Sequence, residues 1–199
     1  MLGRWLLAGV VGGVVVFFWG AVAHMALPLG TMGMSQIDPA REGQVLDALR
    51  SSIDEPGLYF LPGLDMNRTL SESEQTAWEA KLASGPSGIM VITPRGGEAM
   101  STRQLLTEFG TGILTSLLAA GLLWTTNTSR VGGALFVAGL GLFGWLSIGV
   151  PYWNWYNFPT EFTLALLIEE VVGWFLAGLA IAAVVKPVAV NANAEGASI

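Results

Sequence analysis

The side chains able to do chemistry are few and oddly placed. The 199-residue chain holds one histidine, His24, and no cysteine, which excludes a thiolate nucleophile, a disulfide and any Cys-type zinc or iron–sulfur site. A Ser-His-Asp arrangement would have to place its base inside an apolar run, and a two-histidine metal site cannot be built within one chain. Three carboxylates, Glu108, Glu169 and Glu170, also sit inside or at the edge of apolar runs. An ionisable group at membrane depth costs roughly 2.5 to 3.5 kcal/mol on insertion scales and is a functional hypothesis whose partner must be named. The partner read for His24 is Glu170 or Glu169.

Several chemistries compete for this intramembrane cluster of His24, Glu108, Glu169 and Glu170. The leading one is structural, a His–Glu hydrogen bond that locks two helices. A second is proton or ion handling by His24 and Glu170. A third makes His24 an axial ligand to a haem or chlorin, since one histidine can serve a macrocycle, although no second ligand or binding motif accompanies it. A divalent metal held by His24, Glu108 and Glu170 lacks the Glu-x-x-His pairs of di-iron bundles. Met25, Met32 and Met34 could hold a soft ion such as Cu(I), but packing is the ordinary use of such methionines. The expectation is no catalytic residue, no metal and no resident cofactor.

The elements that must position these groups are membrane helices. The chain is 52% hydrophobic and 12% charged, with mean hydropathy +0.57, against about 25% charge in average globular chains. Arg4 is the only charge before Asp38, and none lies between Glu108 and Arg130 or between Arg130 and Glu161. The fold class expected is mainly α, a polytopic membrane protein with four transmembrane helices and a small α+β periplasmic insertion between the first two. The first helix lies within 1–29, ended by Pro28 and Gly30, and is read as a retained anchor; cleavage after Ala21-Val22-Ala23 is the alternative. Residues 30–101 form the insertion, and 102–187 hold helices at about 106–124, 131–150 and 160–185, the first of these preceded by Ser101-Thr102-Arg103-Gln104, whose Ser-x-x-Gln spacing suits a capping box. The third is expected to stop at Pro151 and the fourth at Lys186-Pro187, with 188–199 a disordered cytoplasmic tail. Arg4, Arg130 and Lys186 fall on one side of such a topology, which predicts N-in and C-in.

The insertion reads as helix, strand, helix, strand. Asp38-Pro39 is an N-cap with proline at the first helical position, opening a helix to about Ile53. Leu58-Tyr59-Phe60-Leu61 is a short strand. Ser71-x-x-Glu74 is a capping box opening a helix that closes at Gly85, and Gly88 to Thr93 is a β-branched strand stopped by Pro94. Two strands and two helices bury little on their own, so the unit is expected to lean on the membrane helices, a second copy or a partner. A net charge of -6 argues against nucleic acid.

In lipid, small residues mark the faces where helices approach. Gly9, Gly13 and Gly20 share a face with His24. Gly112, Ser116 and Ala120 follow Glu108. Gly133, Gly141 and Gly144 join Ala134 and Ala138, and Gly173 and Ala177 follow Glu169 and Glu170. The cluster is therefore expected to face the bundle interior, with the two glutamates about 12 to 14 Å along the helix from Glu161. The segment Pro151 to Pro159 carries Tyr152, Trp153, Trp155, Tyr156 and Phe158, read as an interfacial aromatic loop or else a platform for a lipid, a quinone or a partner. Trp5 and Trp124 mark the opposite belt. Asn67-Arg68-Thr69 and Asn127-Thr128-Ser129 match the glycosylation pattern, which is no evidence by itself.

Glu55-Pro56-Gly57-Leu58-Tyr59-Phe60-Leu61-Pro62-Gly63, Gly85-Pro86-Ser87-Gly88, Tyr152-Trp153-Asn154-Trp155-Tyr156 and Val172-Gly173-Trp174 together resemble a family of small bacterial four-helix integral membrane proteins. The resemblance covers residues 1 to about 187 and implies a multi-pass protein of the bacterial inner membrane. It carries over no activity, cofactor or catalytic residue. The function expected is that of a non-catalytic accessory or assembly subunit, with the lipid bilayer and other membrane subunits or further copies as partners. A small proton- or ion-coupled transporter and a haem- or pigment-binding bundle are the alternatives.

Overall fold

The computed structural model describes residues 2–65 and 67–185. Lys186, Pro187 and the tail at 188–199 lie outside the described residues, and so does what was expected of them. The described chain is mainly helical, with four helices long and apolar enough to cross a membrane and one two-stranded sheet. It divides into two compact units: 2–34, 100–154 and 158–185 in the first, Ser35–Ala99 with Trp155–Asn157 in the second.

The first unit contains α1 (Leu2–Met25), α4 (Thr102–Trp124), a third helix and α7 (Thr160–Val185). Helix α1 ends at Met25 rather than near Leu29. Leu27 is extended, as a residue before proline prefers, and Pro28–Gly30 form a single 3-10 turn. Helix α4 starts at Thr102 rather than 106, because the Ser101 box is formed: Ser101 Oγ accepts from the Gln104 N–H at 3.2 Å and Gln104 Oε1 from the Ser101 N–H at 2.8 Å. This caps a polar first turn outside the apolar run. The third helix begins at Arg130, where Ser129 Oγ accepts from the Gly132 N–H at 3.1 Å.

Pro151 does not stop that third helix. It runs as α5 (Arg130–Gly144), a π-helical turn (Trp145–Gly149) and α6 (Val150–Tyr156). A proline in a regular helix has no N–H to donate, and its ring crowds the carbonyl four residues back. Here the turn just before it is widened, with the Val150 N–H donating five residues back to Trp145 O. The aromatic loop is consequently mostly helix. Its true turn is Asn157 to Pro159, opened by Asn157 at φ 56°, a left-handed position that asparagine tolerates better than most residues.

Glycines seat the helices against one another. A Cβ on Gly13 would lie 2.7 Å from the Ile113 Cα and N on α4, one on Gly173 2.6 Å from Trp19 Cδ1 on α1, and one on Gly178 2.8 Å from Ala134 Cα on α5. The core between them is small: Ala8, Ala119, Ala120, Ala177 and Ala182, with Leu123, Val137, Ile181 and Val185 as its larger members. Arg4 donates from Nη2 and Nε to Val184 O at 3.0 and 3.3 Å, placing a cation on the last carbonyls of α7 where the helix dipole favours it.

The second unit is α2 (Pro39–Ser52), β1 (Gly57–Leu61), α3 (Glu72–Ser84) and β2 (Gly88–Ile92), in the expected order. The strands pair antiparallel from Gly57 opposite Ile92 to Leu61 opposite Gly88. Among its described residues only Ile53 is a buried apolar side chain, while the cross-strand pair Leu58 and Val91 is 69% and 79% exposed. Local chemistry carries much of its order: Asp38 Oδ1 caps the Ala40 N–H at 3.0 Å and the Trp78 indole donates to Pro62 O at 3.0 Å. Arg68 Nη2 meets Glu74 Oε1 at 2.7 Å. That guanidinium, together with the Ser71 N–H and hydroxyl, holds the exposed Glu74 carboxyl at about 2.

Candidate functional site

Three sides of the helix bundle are closed and one is open. Helices α1 and α4, α1 and α7, and α5 and α7 pack along their lengths, whereas α4 and α5 touch little although only Thr125 to Ser129 separates them. Each closed side also carries one indole N–H that crosses to a backbone carbonyl. Trp5 donates to Leu117 O at 2.9 Å, Trp19 to Glu169 O at 3.0 Å, and Trp145 to Thr163 O at 2.8 Å. A helix carbonyl has a second lone pair free, and an indole N–H has no water to find in hydrocarbon. Such an interhelical bond is worth about 0.6 kcal/mol, with about 1.7 as the upper end. Sequence reading placed Trp5 only as a belt residue; nothing local could reveal an acceptor 112 positions away.

The open side is a lateral groove of about 550 Å³. Helix α4 supplies its long wall through Glu108, Thr111, Thr115, Leu118 and Leu122, a stripe at steps of three and four. Leu140, Phe143 and Gly144 of α5 form the facing wall, and Trp19 and Gly20 of α1 with Glu169, Glu170 and Gly173 of α7 complete it. Gly20 and Gly144, both expected on packing faces, have nothing within 4 Å of a built Cβ. They face the groove instead of a neighbouring helix.

All three predicted carboxylates line this groove, and they differ in what they hold. Glu169 Oε1 lies 2.9 Å from His24 Nε2, so between the two partners read for the histidine, Glu169 makes the contact. On its other edge the imidazole is covered by the 3-10 turn: a Cβ on Gly30 would fall 2.6 Å from His24 Nδ1. Both ring nitrogens therefore face protein atoms, and an axial ligand at Nε2 would have to displace Glu169. The His24 side chain is 55% exposed and that of Glu169 22%, so the pair sits at the bundle's edge rather than in its packed core. Glu170 Oε2 accepts from the Trp174 indole at 2.8 Å. Glu108 is exposed on α4, near the edge-on contact of Phe17 and Phe109 at 5.4 Å that joins α1 to α4.

None of the groove's lining residues is a lysine or arginine. No group of three His, Cys, Asp or Glu among the described residues could hold a metal ion. Met25 and Met34 are 78% and 65% exposed. The aromatic segment forms its own assembly at the helix end: Tyr152 stacks on Phe158 at 5.5 Å, Phe158 meets Phe162 at 5.6 Å, and Trp153 donates to Thr160 Oγ1 at 3.1 Å. Trp155 is 75% exposed. At the opposite end, Trp5 and Trp124 border an apolar hollow with Leu2, Gly121 and Thr125. Ser116 Oγ, buried among α1, α4 and α7, has no hydrogen-bond partner among the described residues.

Comparison with protein families, curated proteins and solved structures finds no match to the chain.

Proposed function

We propose that the protein is a non-catalytic accessory subunit of a membrane complex, and that it engages its partner by taking a transmembrane helix into the groove between α4 and α5. The observation that carries this reading is the open fourth side of an otherwise closed bundle. Leu118 and Phe143 stand 63% and 70% exposed along it, and small residues line it with room to spare. Small-residue surfaces are where membrane helices approach most closely. A bacterial inner membrane is the setting we propose, with N-in and C-in orientation and the 35–99 unit in the periplasm. Arg4 and Arg130 support that orientation, since both lie toward the same end of the bundle.

The test is site-specific photocrosslinking in intact cells. A crosslinker at Leu118 or Leu122 is expected to give one discrete adduct, while one at Leu135, 60% exposed on α5 and outside the groove, gives none. Equal adducts from all three positions, or none from any, would overturn the proposal.

A second reading, a small proton-coupled unit, draws on the His24–Glu169 contact. It requires that Glu169→Gln abolish a pH-dependent transport phenotype with folding intact; an accessory subunit keeps its function.

A further inference from the structure

The groove is acidic and its counter-charge lies elsewhere. Glu108, Glu169 and Glu170 all line it; of these only Glu169 meets a basic side chain, His24, and no Lys or Arg is among the lining residues. Leaving carboxylates at membrane depth is costly, and such groups pair with one another or with an opposite charge. From its first residue Thr160, α7 travels about 15 Å to reach Glu170, which sets it below the headgroup level of a hydrocarbon core about 30 Å thick. A lipid amine at the headgroup level does not reach that depth, and it arrives beside its own phosphate, which the carboxylates repel. A second copy docked through this same face would bring the same acids to the same place. A basic side chain carried on a helix meets both requirements, because the helix fills the apolar length of the α4 wall and the long side chain delivers its cation to the carboxylates.

We propose that the helix taken into the α4–α5 groove is one with a lysine or arginine in its membrane-spanning segment, whose cation is held by Glu108 and Glu170. This rests on the proposed docking function and adds the chemistry of the partner to it. Glu169 stays with His24. The indole of Trp174 holds one oxygen of Glu170 and leaves the other to the incoming cation.

The experiment uses the full chain in phosphatidylcholine vesicles. The native sequence has no cysteine, so Asn127→Cys, in the turn between α4 and α5, carries the only fluorescent acceptor. The donors are synthetic Leu/Ala peptides of about 24 residues, long enough to span, with either one central arginine or none. The arginine peptide is expected to show saturable energy transfer with an apparent affinity about tenfold or more above the neutral peptide. Glu108→Gln with Glu170→Gln should erase that preference, bringing the two peptides to equal apparent affinity. Gly144→Phe, which projects into the groove at a position with nothing within 4 Å, should weaken both peptides.

Equal binding of the two peptides, with both lost in Gly144→Phe, would overturn the basic-residue inference and leave the docking reading standing. Absence of saturable transfer for either peptide, or indifference of both to Gly144→Phe, would overturn the docking reading as well. Transfer between labelled copies of the protein that neither peptide reduces would identify a second copy as the occupant and overturn the inference. Loss of the arginine preference on adding phosphatidylethanolamine would point to a lipid amine with the same result.

Discussion

Along the α1–α4, α1–α7 and α5–α7 sides, glycines stand where a β-carbon would strike the next helix, and an indole hydrogen crosses to a carbonyl. Along the α4–α5 side, Gly20 and Gly144 meet nothing, and among the described residues no side-chain hydrogen bond joins the two helices. The residue types are the same on both kinds of side. What separates them is whether a small residue is matched by a group that reaches across. A small-residue face permits close approach, but approach here coincides with a tryptophan donor each time.

This contrast can be broken at several strengths. The largest effect is expected from Gly13→Leu or Gly178→Leu, which drive a side chain into backbone atoms already 2.7 to 2.8 Å from a built Cβ. Overpacking at such a site should cost about 3 kcal/mol, read as a shifted unfolding midpoint in mixed micelles. Trp19→Phe removes the donor but keeps most of the ring, and should cost about 0.6 to 1.7 kcal/mol in the same assay.

A third test separates the bundle from the 35–99 unit. Because Glu74 titrates at about 2 instead of 4.5, its contribution to order at the start of α3 is complete above pH 4.5. It should disappear as the pH falls from there toward 2. Amide exchange at Ser71 to Gln75 should accelerate in that window, Glu74→Gln should remove the pH dependence, and the bundle's unfolding midpoint should not respond to that substitution. The smallest effect belongs to the open side. Gly144→Ala should change stability by no more than about 1 kcal/mol, in the favourable direction that helix propensity gives; a marked loss would mean that the groove is closed in solution.

The elements of the 35–99 unit were legible because their signals are local. Asp38 before Pro39 and Ser71 three before Glu74 each satisfy a helix end within a few residues, whatever the rest of the chain does, and Ser101 three before Gln104 does the same for α4 in the bundle. The four membrane helices were legible from uncharged length. Their pairing was not. Gly13 and Gly20 lie seven apart on one helix and read alike, yet one packs on Ile113 and the other faces empty space, a difference decided by where α4 and α5 part. Gly12 and Gly178, not singled out in the sequence, turn out to be packing positions for the same reason. The acidic residues and His24 were found from their depth, and the choice of Glu169 over Glu170 came only with the rotation of α7. Pro151 misled because the rule that proline ends a helix assumes a regular turn before it.

That widened turn also changes the phase of the helix. Each residue in a regular helix advances the side chains by about 100°, so one residue more per turn rotates everything beyond it relative to everything before. The glycine-bearing half of the third span and its aromatic tip are thereby aimed independently, like two sections of a shaft joined by an offset coupling. Deleting Ser147 together with Pro151→Ala, which removes the ring a regular turn would crowd, would bring the two sections back into phase, leaving the Gly133 and Gly141 contacts where they are while turning Tyr152 away from Phe158. A one-residue deletion, normally ruinous in a packed helix, becomes at this position a way to swing one end of the span without disturbing the other.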